Sequence, residues 1–149
     1  MAAVTFSHRH VVILALGASL ACGGQHPAGA PAPAVPAETV EQFLAAVNAV
    51  DLDRMGTLWG DENGPNRSGS QNVRTQRLTI MQRLLHGESH EVVATDVTTP
   101  ARPRLSVAIT QGTRRFTVPF TLAQSRYGGW LVKEIGIDQA MPAAGSQPR

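Results

Sequence analysis

Apolar side chains recur at helical spacing from Val40 onward: Val40, Phe43, Leu44 and Val47 share one face, which predicts a helix from about residue 39 to Val50. Thr39 followed by Gln42 fits a capping box at its start, and the acidic first turn suits the helix dipole. Asp51 then reads as the cap of a second, short helix whose Leu52, Met55, Leu58 and Trp59 face one way before Gly60 ends it. Gly64, Pro65, Gly69 and several Asp, Asn and Ser between Gly60 and Gln71 mark an irregular loop. A third helix is expected from about Asn72 to His86, with Val73, Arg77, Ile80, Met81 and Leu84 on one face and Gly87 as its stop. Arg77 interrupts that apolar face.

The period then changes from helical to alternating. Glu91 to Val97 reads as a strand, and so does Leu105 to Gln111, where Leu105, Val107 and Ile109 alternate with Ser106, Ala108 and Thr110. Gly112 and Thr113 turn the chain into Arg115 to Ala123, with Phe116, Val118, Phe120 and Leu122 inward and Arg115, Thr117, Pro119 and Thr121 outward. Pro119 lacks a ladder donor and is expected at a bulge or an unpaired edge position. Gly128 and Gly129 lead into a last strand, Trp130 to Ile137, which completes an antiparallel meander. Helices followed by such a sheet are expected to pack on one of its faces, an α+β arrangement.

Ahead of the domain, Val11 to Ala21 is an apolar run too short to span a bilayer, preceded by His8, Arg9 and His10 and ending in small residues. That is the layout of a signal peptide. Ser19-Leu20-Ala21-Cys22-Gly23 resembles a bacterial lipobox, with Ser19 where leucine is more usual. The resemblance implies a signal peptide over 1–21, lipidation at Cys22 and attachment to a membrane that two or more acyl chains make effectively permanent. It also implies a bacterial cell-envelope location, facing the periplasm from the outer or the inner membrane, with Gly24 in place of an aspartate favouring the outer. Cys22 is the only cysteine, so an intramolecular disulfide is excluded. Residues 22–37 carry Pro27, Pro31, Pro33 and Pro36 among Gly and Ala and read as a tether. Residues 38–141 are left as one domain, with 142–149 an unstructured tail.

Charge narrows the partners. The chain holds 13 Lys+Arg against 11 Asp+Glu, and removing Arg9 with the leader leaves a mature net charge of +1, which implies no polyanion. No aromatic interleaving accompanies the basic residues, so nucleic acid is not an expected partner. No acid lies between Asp96 and Glu134, whereas Arg102, Arg104, Arg114, Arg115, Arg126 and Lys133 all do. On an outward sheet face these would meet an anionic lipid surface, a polyanionic glycan or an acidic protein partner, or simply be solvated, discouraging strand-to-strand aggregation.

Two segments carry a resemblance to a fold family. Val40-Glu41-Gln42-Phe43-Leu44-Ala45-Ala46-Val47-Asn48-Ala49-Val50-Asp51-Leu52-Asp53 resembles the first helix and turn of the NTF2-like, or SnoaL-like, superfamily of cone-shaped α+β folds, and Gly129-Trp130-Leu131-Val132-Lys133-Glu134-Ile135 resembles its final strand. The resemblance implies N-terminal helices on a curved, cystatin-like antiparallel sheet enclosing an apolar pocket or its collapsed remnant. Trp59, Arg77, Met81, Phe116, Phe120 and Trp130 are the candidates to line it; equally, the apolar ones fill a core. Arg77 would salt-bridge an acid, face solvent or meet an anionic ligand.

Enzymes of that superfamily use a carboxylate or a histidine inside the cone, and here only Asp61, Glu62, Asp96 and His86 are at hand, without paired spacing. His86 and His90 stand four apart, but Gly87 between them ends the helix that would align a metal pair. No cofactor, metal or catalytic residue is therefore assigned. The sequence points first to a membrane-anchored, non-enzymatic domain that binds a protein partner or a small apolar ligand. The alternatives are a small isomerase or hydrolase acting through Asp61, Glu62 or His86, and a structural homodimer that uses the outer sheet face.

Overall fold

The computed structural model describes residues 31–140. The expected signal peptide, Cys22, most of the tether and the tail lie outside the described residues. Helix α1 (Pro36–Asn48) opens at Pro36 rather than at Thr39. Proline suits the first helical position, where its missing N–H costs no intrahelical bond. Thr39 is therefore not a cap: it is buried, and its hydroxyl donates to the Val35 carbonyl at 3.2 Å and to that of Trp130 at 3.4 Å. Val40, Phe43, Leu44, Ala46 and Val47 form the buried face of α1.

The end of α1 carries a strained residue. The Asp51 N–H returns to the Ala46 carbonyl at 2.9 Å and that of Val50 to Val47 at 3.2 Å, the two bonds of a Schellman closure. That closure puts its hinge residue in the left-handed region, and the hinge is Val50, at φ 57°. A β-branched side chain is disfavoured there. Helix α2 (Leu52–Leu58) follows at once, capped by Asp51 Oδ1, which accepts from the Arg54 N–H at 2.8 Å.

Gly60 to Pro65 differs from the irregular loop expected. A small hairpin forms, β1 (Gly60–Asp61) against β2 (Gly64–Pro65), with Asp61 paired to Gly64. Gly64 takes φ 111°, a conformation only glycine adopts freely, which lets the hairpin close over two residues. Helix α3 (Gln71–Leu85) is capped by Ser70, and its buried face is Leu78, Met81 and Leu85. That face is rotated from the expected one: Val73, Arg77 and Ile80 are exposed and Leu84 is only half-buried.

The sheet comprises β3 (Ser89–Asp96), β4 (Arg104–Gln111), β5 (Arg114–Gln124) and β6 (Trp130–Ile135), an antiparallel meander in that order. Leu105, Val107 and Ile109 stand opposite Phe120, Val118 and Phe116, so both inner strands turn their apolar rows to one side. Phe120 meets Phe43 of α1 edge to face, ring centres 6.3 Å apart. Pro119 lies within a central strand and is buried, yet its missing donor is harmless. Its carbonyl accepts from the Gly136 N–H at 2.9 Å, just past the end of β6. N–H and C=O of one residue point the same way in an antiparallel pair, so the absent donor falls where the neighbouring strand has stopped. The last strand is correspondingly shorter than expected, and a 3-10 turn (Ile137–Gln139) follows it. Its Ile137 and the next residue, Ala140, join the core.

The outer edge of β6 is covered, while that of β3 has no strand beside it among the described residues. Trp59 bridges Val132, and the Trp130 N–H donates to the Pro33 carbonyl at 2.8 Å. Pro33 is buried, so the part of the expected tether from there to residue 37 belongs to the fold. Two variants test this account. Phe120→Ala should lose about 3–5 kcal/mol in urea unfolding, the usual cost of emptying a buried phenylalanine site. Val50→Gly should gain up to about 1 kcal/mol by relieving the left-handed valine, whose exposed side chain contributes little packing.

Candidate functional site

Five of the six residues named as candidates to line an interior pocket or fill a core pack in or against the core. Phe120 and Met81 are buried within it, and Trp59, Phe116 and Trp130 are half-buried against it. Arg77 is exposed on α3. The buried arginine is Arg54, 2% exposed. Its guanidinium donates to Gln42 Oε1 of α1 and, at 3.4 Å, to Thr57 Oγ1. Burial lowers its pKa and the Asp51 carboxylate opposes that shift. Arg54 thus acts as a polar strut between α1 and α2.

Of the six basic residues of the sheet half, four meet acids brought from elsewhere in the chain and two, Arg114 and Arg126, lie over neighbouring aromatic rings. Arg115 pairs with Glu91 at 3.1 Å, Arg104 stands opposite Asp96 in the ladder, and Arg114 lies over the Phe116 ring while donating to the Ala140 carbonyl at 2.7 Å. Arg102 and Lys133 converge on Glu62, at the turn of the small hairpin: Lys133 Nζ sits 3.0 Å from both carboxylate oxygens and an Arg102 nitrogen 3.1 Å from one. Lys133 reaches it from a bulge in β6, where Thr121 faces Glu134 and the adjacent Leu122 faces Val132.

Glu62 is consequently held as an anion. Its own backbone N–H and then the Lys133 ammonium, with Arg102 adding a smaller effect, take its pKa from the ordinary 4.5 to about 2. A carboxylate so placed is a poor general acid or base near neutral pH. Asp96 is also shifted down, by the Thr98 hydroxyl first and its backbone N–H second. His86 is exposed at the end of α3, and His90 Nε2 lies 2.7 Å from Glu41 Oε2. No group of three or more His, Cys, Asp or Glu able to hold a metal occurs among the described residues.

Beside Glu62 an open recess of about 980 Å³ lies between the small hairpin, the segment after it and the β5–β6 turn. Asp61, Asn63, Asn66, Arg67 and Ser68 line one side and Arg126, Tyr127, Lys133 and Glu134 the other. The two sides are joined where the Arg126 N–H donates to the Glu62 carbonyl at 3.0 Å. The Tyr127 ring lies against Gly64, close enough that a Cβ there would be 3.4 Å from two ring carbons. The Arg126 guanidinium lies over the same ring at 5.0 Å and donates to the Tyr127 hydroxyl at 3.0 Å. Asp61 Oδ1 and Asn66 Oδ1 accept from the N–H groups two residues on, which stiffens both bends.

The chain matches no family model, no curated protein and no solved structure.

Asp61 and Glu62 fall in the loop expected there, but the other wall of the recess lies more than sixty residues further along the chain. Gly64 was the available signal, since a glycine directly after the turn residues supplies the positive φ that lets a short hairpin close. The Glu62 network predicts a pH dependence. Its folded pKa is depressed, so its stabilisation is complete above the ordinary value of 4.5 and is lost as pH falls toward 2. Glu62→Gln should therefore melt lower than the parent at pH 7, the gap closing between pH 4.5 and about 2. Thermal unfolding across that range checks it.

Proposed function

We propose that this protein is a lipid-anchored binding domain of the bacterial cell envelope, built on an NTF2-like cone, and that it is not an enzyme. The order of elements supports the family reading: helices first, α1 packed on the inner face of a four-strand meander, and a closing strand that begins at Trp130. No helix among the described residues is long and apolar enough to cross a membrane, and in this reading attachment rests on Cys22.

The observation that carries a binding role is the recess beside Glu62. Its walls are stiffened by backbone and side-chain bonds, whereas large apolar residues occupy the interior where a cone-fold enzyme would hold its substrate. An interior apolar ligand would have to displace Phe120, Met81 or Met55, all of them buried. Recognition at the surface requires no such rearrangement, and preformed walls lower its entropic cost. The titratable groups support the same reading, because Glu62 is matched by two cations and Asp61 contributes to a turn.

Anchoring is tested by Cys22→Ser. The parent should sediment with membranes and be released only by detergent, while the variant should appear in the aqueous fraction. Equal membrane association of the two would remove the lipid anchor from this reading.

A further inference from the structure

The recess has a composition that restricts what it can hold. No Leu, Ile, Val, Met or Phe lines it, so a ligand gains little there by burying aliphatic groups. Asn63, Arg67, Ser68 and Glu134 have side chains with no hydrogen bond or ion pair among the described residues, although they border one hollow. Both signs of charge occur on each wall, Asp61 with Arg67 and Glu134 with Arg126, and the Lys133 ammonium is already matched by Glu62. An anion would meet the two carboxylates and a cation the two guanidinium groups. A neutral ligand rich in hydroxyl and amide groups meets neither penalty and can both donate and accept.

One aromatic ring completes the set. Tyr127 is 73% exposed at the rim, its ring held by Gly64 and Arg126 instead of being packed in the core. Arg126 lies over part of that ring, and what the 73% exposure leaves uncovered offers apolar surface with a polar tip to a ligand that is itself half apolar. Sugar rings have that character, with C–H groups on their faces and hydroxyls around their edges. A peptide would be expected to need pockets for its side chains, and this lining provides none of aliphatic character.

We propose that the recess binds a neutral oligosaccharide, one sugar ring resting on Tyr127 while Asn63, Arg67, Ser68 and Glu134 bond its hydroxyl and acetamido groups. The proposal rests on the reading of the protein as an envelope-anchored binding domain, since glycan strands of N-acetylated amino sugars are a chief constituent of that compartment. Affinity at so open a site is modest and comes from several weak contacts on preformed walls.

The test is isothermal titration of the full chain, dissolved in a detergent without a sugar headgroup, with the tetramer of β-1,4-linked N-acetylglucosamine. Saturable binding with a Kd of about 1 mM or tighter is expected. Tyr127→Ala and Arg67→Ala should each weaken it at least about tenfold with unchanged circular dichroism, both residues being exposed, while Arg83→Ala on α3 should bind as the parent does. No saturable heat up to about 10 mM sugar overturns the proposal, as does equal binding by all three variants. Saturable binding of an alanine- and glutamate-containing tetrapeptide without binding of the sugar would assign the recess to peptides and also overturn it. The membrane fractionation of the parent and of Cys22→Ser is independent of this titration. Sugar binding by a chain that does not sediment with membranes would refute the envelope reading and leave the sugar site standing.

Discussion

The fold depends on covering the inner face of the meander. β4 and β5 present Leu105, Val107, Ile109, Val118, Phe120 and Leu122 on one side, and such a row is stable only against another apolar surface. α1 supplies it through Phe43, with Phe120 as the central contact. A single helix of thirteen residues cannot cover the whole sheet, and the rest of the chain closes what it leaves open. α2 and α3 bring Met55, Leu58, Met81 and Leu85 to the core; Ile137 and Ala140 come from beyond β6. Pro33 and Trp59 occupy the free edge of β6, an edge that would otherwise offer unpaired backbone groups to other chains.

Electrostatics then arranges the outside. The long acid-free stretch of sequence does not become a uniformly basic surface, because Glu62, Glu91 and Asp96 meet it from other elements. Glu62 does the most, drawing the small hairpin, the β3–β4 loop and β6 to one point. Exposed ion pairs are individually weak, but one carboxylate shared between two cations and backed by a main-chain bond fixes a local geometry. The recess is a by-product of that geometry: two turns held a set distance apart with a hollow between them.

How much of this was legible in the sequence follows from the range of the interactions involved. The strands of the meander showed their alternation because one face of each inner strand is buried, and the Asp51 cap was visible because it acts over three residues. The start of α1 was obscured by a proline-rich composition that looks like tether up to the residue where proline becomes a helix opener. In α3 the apolar residues are spread over more than one stripe, and periodicity alone does not say which of Val73, Ile80, Leu78 and Leu85 faces the core. The same ambiguity put Arg77 on the buried side, while Arg54, folded back on Gln42 of the preceding helix, was overlooked. The partners of Glu62 lie 40 and 71 residues away, beyond the reach of any local pattern.

The place where the chain joins the domain has a mechanical consequence. A Cβ on Gly129 would collide with the Ala32 carbonyl, and the next residue, Trp130, donates its N–H to the Pro33 carbonyl at 2.8 Å. Tyr127 and Arg126 belong to that same β5–β6 turn. A pull transmitted from the N-terminal side would therefore load the rim of the recess before it reached the helices or the sheet interior. One short turn is thus both the seam where the N-terminal segment meets the domain and the rim of the recess.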